Sequence, residues 1–436
     1  MIPARRLALV DCNNFYVSCE QAFNPALRQR VVVVLSNNDG CVVSRSAEAK
    51  LAGIPMGVPY FKIKAQLKQL NGVTLSSNYV LYADMSQRAM SLMRDMAENQ
   101  EIYSIDECFL DFSGLSLDQA MVQSAKIRHA LWQCLSLPVC IGLGATKTLA
   151  KLANEMAKTL KEPSGICNLG GPSESLSPWR ERQMEEMPVG SVWGIGRRTA
   201  LSLEALGIKT VGQLLRISPQ RLRKHYSVNL FRTLAELNGQ PCIGFEQQVP
   251  ARQQIIASRS FGHAVEKEED LHEALATFAT RAAERLREDG SLATNLQVYV
   301  RGNPFAEQTD NPDDAILVRL DSPTDDTRRL VDAALSGLKH IYRPGCRYKK
   351  AGVVLGAIVP LHHYQPDLLT ARQHKDAVSL MRVMDQVNER FGRDVLRVAS
   401  MGYKKKADWH MSCSRRSRRY TTALEDLPVF SSLGMA

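Results

Sequence analysis

Apolar residues recur along this chain at two spacings, and each change of spacing marks an element. Leu7–Val10 is a continuous apolar run that reads as a buried strand, with Asp11 at its end. In DCNNFYVSCEQAF, Phe15, Cys19 and Phe23 recur at helical spacing, and Asn13 or Asn14 can cap the helix. Val31–Leu35 predicts a second strand, followed by the turn-rich SNNDG; SRSAEAKLAGIPMGVP reads as a helix closed by Gly53 and Pro55. Residues 103–111, YSIDECFLD, predict a strand or hairpin edge that carries the adjacent acids Asp106 and Glu107. In the helix predicted over 147–158, Lys147, Lys151 and Lys158 fall within about 40° of one another at about 100° per residue. Leu149, Leu152, Ala153, Met156 and Leu160 take the opposite side.

The second half changes rhythm. Residues 188–240 read as a short helical module in which Gly194-Ile195-Gly196 joins two helical segments, with Gly207-Ile208 as a second turn. QQVPARQQ, residues 247–254, reads as a linker. Beyond it the pattern gives strand-helix-strand-strand-helix-strand. The first helix, near 269–288, carries Leu271, Leu275, Phe278, Ala282 and Leu286 on one face. The strand near 292–301 points Leu296, Val298 and Val300 inward and Asn295, Gln297, Tyr299 and Arg301 outward. A second helix follows Asp325, and residues 347–359 close the sheet. This split βαβ pattern leaves a polar sheet face that either lies against nucleic acid or is simply solvated. A helix near 374–391, with Val378, Met381, Met384, Val387 and Phe391, precedes a basic tract holding KKK (404–406) and RRSRR (415–419). That tract is either a solvated tail or a contact for nucleic acid or a partner.

Composition narrows the classes. A chain of 436 residues suggests two to four domains at about 150 residues each. A hydrophobic content of 44% with 23% charged residues describes a globular protein, and the net charge of +10 favours a polyanionic partner. The four-residue apolar run before Asp11 is no secretory signal, and the run around Ala351–Leu361 is too short to span a bilayer. Ten cysteines without a CxxC pair argue against a zinc site and a disulfide framework, and fit a reduced, cytoplasmic compartment.

The acids carry the chemistry. Two carboxylates side by side in an apolar strand are costly without a cation or a water-filled cleft. If the strands bearing Asp11 and Asp106/Glu107 are neighbours, three carboxylates surround one cleft, enough for two metal ions about 3.5–4 Å apart in in-line nucleotidyl transfer. The lysine stripe at 147–158 is either a solvated basic face or a phosphate contact. The stretch around Gly194 and Gly196, followed by Arg197 and Arg198, has the look of a helix-hairpin-helix whose backbone N–H groups meet a DNA phosphate.

Together LVDCNNFYVSCE, VVVLSNNDGCVVSRSAEAK, SSNYVLYADMS, YSIDECFLD, TKTLAKLAN, VWGIGRR, SRSFG, RYKKAG and SRRYTT resemble the Y-family translesion DNA polymerases. More closely, they resemble the UmuC family, the catalytic subunit of bacterial DNA polymerase V and its plasmid-borne relatives. The resemblance implies a multidomain α/β and α+β right hand. Its ferredoxin-like palm would span 1–22 and 76–168, its small fingers 23–75 and its helix-hairpin-helix thumb 169–246. A little finger over 252–360 and a C-terminal extension over 361–436 complete it. It implies that Asp11, Asp106, Glu107 and the Cys12 carbonyl hold two Mg²⁺ ions, with Asp106 and Glu107 as the catalytic acids. Phe15 and Tyr16 would meet the dNTP, Tyr16 as the steric gate against a ribose 2′-OH, and Lys50 and Lys158 would grip the triphosphate. Gly194, Gly196, Arg197, Arg198 and Arg259 would contact DNA. Gln365, Leu368 and Leu369 resemble a clamp-binding peptide, ending in Leu369 where the family usually has Leu-Phe. Cys108 replaces the commoner Ala of the acidic motif.

The implied activity is template-directed, error-prone translesion DNA synthesis in the SOS DNA-damage response, from dNTP onto the 3′-OH of a primer-template. Implied partners are a UmuD′-type homodimer, a RecA filament and the beta sliding clamp, with no membrane. Two other readings share some of these features. A nucleotidyl cyclase has a similar palm and acids but no use for the hairpin or basic tail; a non-catalytic DNA-binding repair factor would keep the fold without the reaction.

Overall fold

Along strand β1 (Leu7–Cys12), Leu7 and Leu9 enter one apolar cluster with Phe109 and Ala150, whereas Ala8, Val10 and Cys12 enter another. A strand buried on both faces has no polar alternation, which is why the sequence reads as one apolar run. The computed structural model describes residues 5–159, 165–170, 178–217, 226–245, 252–303, 312–365, 375–402, 409 and 411–426. The chain forms two compact units, the first from residues 1–36, 40–249 and 415–436, the second from 37–39 and 250–414.

In the first unit β1 is the centre of a five-stranded sheet ordered β5 (Gln100–Ile102), β6 (Glu107–Asp111), β1, β7 (Val139–Gly144), β8 (Ile166–Asn168). Only β7 and β8 pair in parallel. Helices α1 (Phe15–Phe23), α4 (Tyr79–Arg94) and α5 (Leu117–Leu135) cover the Ala8 and Val10 side through Val17, Leu81, Met85, Ile127 and Leu131. Helix α6 (Lys147–Thr159) covers the other side. It sits unusually close: a Cβ on Gly142 would run into the backbone of Ala150 and Asn154, and one on Gly144 into Leu149 and Ala150. Asn154 uses the closeness, its amide donating to the carbonyls of Cys140 (2.8 Å) and Leu9 (3.3 Å).

The outward side of α6 is covered too. Leu149, Leu152, Ala153 and Met156 share a core with α8 (Arg197–Ala205), α9 (Val211–Leu215) and α10 (Val228–Leu237) through Leu203, Leu214 and Leu234; α7 (Pro178–Glu186) precedes these helices in the chain. Leu160 lies outside the described residues. A small sheet, β3 (Val42–Arg45), β2 (Val32–Leu35), β4 (Val73–Ser76), packs with α2 (Ala47–Leu51) and α3 (Tyr60–Gln69) around Ile54, Ile63 and Leu67.

Three local expectations are corrected. Strand β1 continues through Asp11 to Cys12, because Asp11 has in-register partners on both sides, Glu107 and Cys140. The helix expected from Ser44 starts only at Ala47. Residues 42–45 pair with β2, and the Ser46 hydroxyl accepts the Ala49 N–H (3.2 Å) as the cap. Asn14 precedes α1 in a left-handed conformation (φ 52°) and makes no side-chain cap bond.

The second unit follows the expected series: β9 (Ile255–Val265), α11 (Glu268–Glu288), β10 (Ser291–Arg301), β11 (Asp313–Thr324), α12 (Thr327–Ile341), β12 (Tyr348–Pro360). Its antiparallel sheet is ordered β11-β10-β12-β9, with Leu296, Val298 and Val300 buried under the helices. Helix α13 (Lys375–Phe391) lies in the same unit, joined to α11 by Arg287, which grips Asp385 through two bonds of 2.7 Å. Its buried stripe is Ala377, Met381 and Met384; Val378 and Phe391 are exposed, so the apolar side is narrower than its periodicity predicts. Among the described residues no helix is long and apolar enough to cross a membrane.

Candidate active site

Asp11 and Glu107 are Cα partners on neighbouring antiparallel strands, so their side chains leave the sheet on the same face. Asp106 is one residue before β6, and its carbonyl accepts the Cys12 N–H (2.9 Å). The two acidic stretches, 95 residues apart in sequence, thus end side by side. Asp106 keeps its carboxylate on the Ser104 hydroxyl (2.6 Å), while Asp11 and Glu107 bond to each other.

The face they share is the one α6 covers, so the lysine stripe meets acids of the sheet and is not a simply solvated basic face. Lys147 pairs with Glu101 (2.6 Å), Lys151 with Glu107 (2.7 Å) and Lys158 with Asp11 (2.6 Å). One helix face therefore answers a row of acids on the sheet rather than solvent. Lysine exposure rises along the row, 2%, 15% and 31%, so the row opens to solvent at the Asp11–Lys158 end. Lys151 also lies over the rings of Tyr103 (4.2 Å) and Trp193 (5.4 Å), which fixes its ammonium from behind.

The electrostatics are those of two acids sharing one place. Burial, and then the bond to Glu107, push Asp11 up to about 7 despite Lys158. Burial opposes the Glu107 charge as well, but the bonds from Asp11 and Lys151 and the charges of Lys151 and Lys158 outweigh it and hold Glu107 below the usual range. Burial and the neighbouring carboxyl thus favour the protonated form at Asp11 and the ionised form at Glu107. Cys108, behind Glu107 on the opposite face of β6, is fully buried, and burial raises its thiol to about 12. Cys12 is buried likewise and shifted far upward.

Beside the acids stands an aromatic stack. Phe15 is buried at the start of α1, whereas Tyr16 is partly exposed and lies flat on Tyr82 of α4 (centroids 4.4 Å, 13° between planes). Tyr79 meets Tyr16 edge-on at 6.0 Å. Lys50, exposed on α2, is lowered by burial of its stem and then by Arg45 and Lys158, which places two cationic groups of different elements within electrostatic reach of Asp11. Tyr82, Glu101 and the pairing role of Lys151 were missed from the sequence. Their signals were the Tyr79/Tyr82 spacing in SSNYVLYADMS and the matching of lysines by acids on a separate strand.

The remaining candidates lie elsewhere. Gly194 (φ 88°) takes the left-handed turn before α8, and Gly196 caps that helix without a side chain, with Arg197 and Arg198 exposed in its first turn. In the second unit Arg259 shares the orientation of the buried Ile255 and Ala257 on edge strand β9. It thereby lines a cavity of about 220 Å³ with Arg281, Arg285 and Arg393 instead of joining the open sheet face. That open face carries Tyr299, with Arg301 (5.3 Å) and Lys350 (5.8 Å) against its ring. Gln365 is exposed; Leu368 and Leu369 lie outside the described residues.

Among the described residues no group of three or more His, Cys, Asp or Glu side chains converges on one point as a metal cage. The donors at the open end of the row nevertheless suit Mg²⁺. They are carboxylate and carbonyl oxygens at adjacent strand positions, with Asp11 directly opposite Glu107 and Asp106 beside Cys12.

Comparison with known proteins bears on this arrangement. The impB/mucB/samB family model matches residues 10–155 and its C-terminal domain residues 252–368; a domain of unknown function (DUF4113) matches 379–429. Protein UmuC of Salmonella typhimurium is 41% identical over 96% of this chain and 99% of its own length. Protein MucB of Escherichia coli is 38% identical over 97% and 99%. DNA polymerase IV of Corynebacterium diphtheriae is 31% identical over 76% and 74%. Among solved structures, the Y-family DNA polymerase chimera Dbh-Dpo4(243-245)-Dbh superposes with a TM-score of 0.63 at 18% identity, covering 81% of this chain and 99% of the other.

Proposed function

The chain belongs to the impB/mucB/samB family, the UmuC branch of the Y-family polymerases, and from that premise we propose how its residues divide the work of DNA synthesis. It is a DNA-directed DNA polymerase of the translesion type, which removes the cyclase and the non-catalytic readings. The single observation that carries the residue assignment is the register of Asp11 against Glu107, with Asp106 next to Cys12.

Asp11, Asp106, Glu107 and the Cys12 carbonyl are the proposed holders of two Mg²⁺ ions. When bound, such ions supply activation of a primer 3′-OH and neutralise charge on the triphosphate and leaving pyrophosphate. The chain's own groups do the rest. Lys151 keeps Glu107 ionised, and the Asp11 carboxyl gives up its proton as the site is loaded. Lys158 and Lys50 turn to the phosphates, Lys158 exchanging its bond to Asp11 for one to substrate oxygen. Tyr16, backed by Tyr82, sits under the sugar and meets a ribose 2′-OH with its ring. The Gly194–Arg198 turn and the open face of the second unit contact the DNA backbone. A UmuD′-type dimer, a RecA filament and a sliding clamp are the proposed partners of this cytoplasmic enzyme in SOS mutagenesis.

Primer extension with Mg²⁺ on damaged and undamaged templates, with and without accessory proteins, is the test. Extension that survives Asp106→Ala with Glu107→Ala would remove the proposed centre. Tyr16→Ala is expected to raise ribonucleotide incorporation, and an unchanged dNTP/NTP ratio takes the gate away from Tyr16.

A further inference from the structure

The last described segment does not trail away from the first unit. Arg416 forms a parallel bridge with Ser76 at the free edge of β4, and the Ser76 N–H donates to the Arg415 carbonyl (3.1 Å) while its hydroxyl accepts the Arg415 N–H (3.0 Å). Arg415 lies over Tyr60 at 4.8 Å. Asn78, fully buried at the cap position of α4, leaves the helix uncapped by its side chain. Its amide instead donates to the Ser417 hydroxyl (2.9 Å) and the Arg418 carbonyl (3.1 Å). Tyr420 stacks flat on Phe23 of α1 (5.0 Å, 4°). RRSRR is therefore neither a solvated tail nor a free basic arm.

What this segment touches is the back of the aromatic stack. Glu20 lies one turn beyond Tyr16 on α1 and is 1% exposed. Its Oε1 accepts from the Tyr82 hydroxyl (2.8 Å) and from the Ser417 hydroxyl (2.9 Å). Tyr82 is fully buried and supports the Tyr16 ring. A buried carboxylate needs both donors, since leaving it short of one costs the desolvation of that oxygen. Ser417, Glu20, Tyr82 and Tyr16 thus form one chain of contacts, with Ser417 held in turn by Asn78 and the segment by Tyr420 on Phe23.

We infer that residues 415–420 are a positioning strap for sugar selection: Ser417, through Glu20 and Tyr82, fixes the angle of the Tyr16 ring. The inference rests on Tyr16 being the gate and gives part of the matched domain of unknown function a task within the first unit. The strap is a positioning element, not a catalytic one: its contacts are with Ser76, Tyr60, Asn78, Glu20 and Phe23, and it acts on Tyr16 through Glu20 and Tyr82.

The test uses the full chain with its accessory proteins on an undamaged template. It measures ribonucleotide against deoxyribonucleotide incorporation and the dNTP extension rate for Ser417→Ala, Ser417→Thr, Tyr82→Phe and Tyr16→Ala. Ser417→Ala should raise the NTP/dNTP ratio about three- to tenfold, the range that loss of a hydrogen bond or two produces, with dNTP extension kept, and Tyr82→Phe should raise the ratio likewise. Ser417→Thr, which keeps the hydroxyl, should restore the ratio. A ratio that Ser417→Ala leaves unchanged while Tyr16→Ala moves it overturns the strap and spares the gate. A ratio that Tyr16→Ala leaves unchanged overturns the gate itself. Loss of dNTP extension in Ser417→Ala also overturns the inference, since the segment would then hold up the fold and not an angle.

Discussion

The two large sheets of this protein place their charges differently. Helices cover one face of the antiparallel second sheet and both faces of the mainly antiparallel first. In the second unit the covered face is mainly hydrocarbon, with the Arg259 cluster at its β9 edge, and the charged Arg301 and Lys350 stand on the open face around Tyr299. In the first unit a row of three acid–lysine pairs is sandwiched between β5, β6, β1 and α6. Burying ions is costly unless each is partnered, and a buried pair adds little net stability over an apolar one. On the proposed assignment, the difference divides the work: the second sheet serves strength and contact, the first chemistry.

The comparison breaks most visibly at Asp11. Asp11→Ala should lower primer extension by on the order of 10³-fold while leaving DNA affinity within about twofold. A variant whose chief defect is DNA binding would give the two sheets the same task. Next in size, Arg301→Ala with Lys350→Ala should weaken DNA binding by about ten- to a hundredfold and reduce the salt slope by about two, with extension at saturating DNA preserved. Filter binding between low and moderate salt checks it. Val298→Ala, on the covered side of the same strand, should instead cost about 1–3 kcal/mol of stability without touching the salt slope, measured by urea unfolding.

A smaller effect sharpens the first sheet. On the proposed assignment both acids are ionised when the site is loaded, so activity should fall as pH drops through the region near 7 to which burial raises Asp11. Lys151→Met removes a group that holds Glu107 low, so Glu107 rises and the acid limb of the pH–rate profile moves to higher pH. More Mg²⁺ should move the limb back down, because cation and proton compete for the same oxygens. A limb that ignores both changes would dissociate the profile from this pair.

How much of this was legible beforehand differs by element. The second unit could be read nearly residue by residue, because Leu296, Val298 and Val300 alternate strictly and its helices carry single stripes. The first sheet gave up its acids through their neighbours in the chain, but not their partners. Lys147, Lys151 and Lys158 form a stripe that looks solvated, since periodicity records what shares a face and not what that face meets. Residues 44 and 45 read as the start of a helix because a four-residue strand followed at once by a capped turn leaves too short a pattern. The fastening of Ser417 to Glu20 spans 397 positions and had no local signature at all.

The thiols flanking the acids have a consequence for a cell under chemical attack. Only the thiolate is readily oxidised or alkylated, and Cys12 and Cys108 are both sealed from solvent and held far from ionising. Peroxide or a methylating agent that scars the genome will therefore meet Cys134, Cys242 and Cys413 on the outside first. The thiols beside the proposed centre stay chemically mute under the very conditions that call for translesion synthesis.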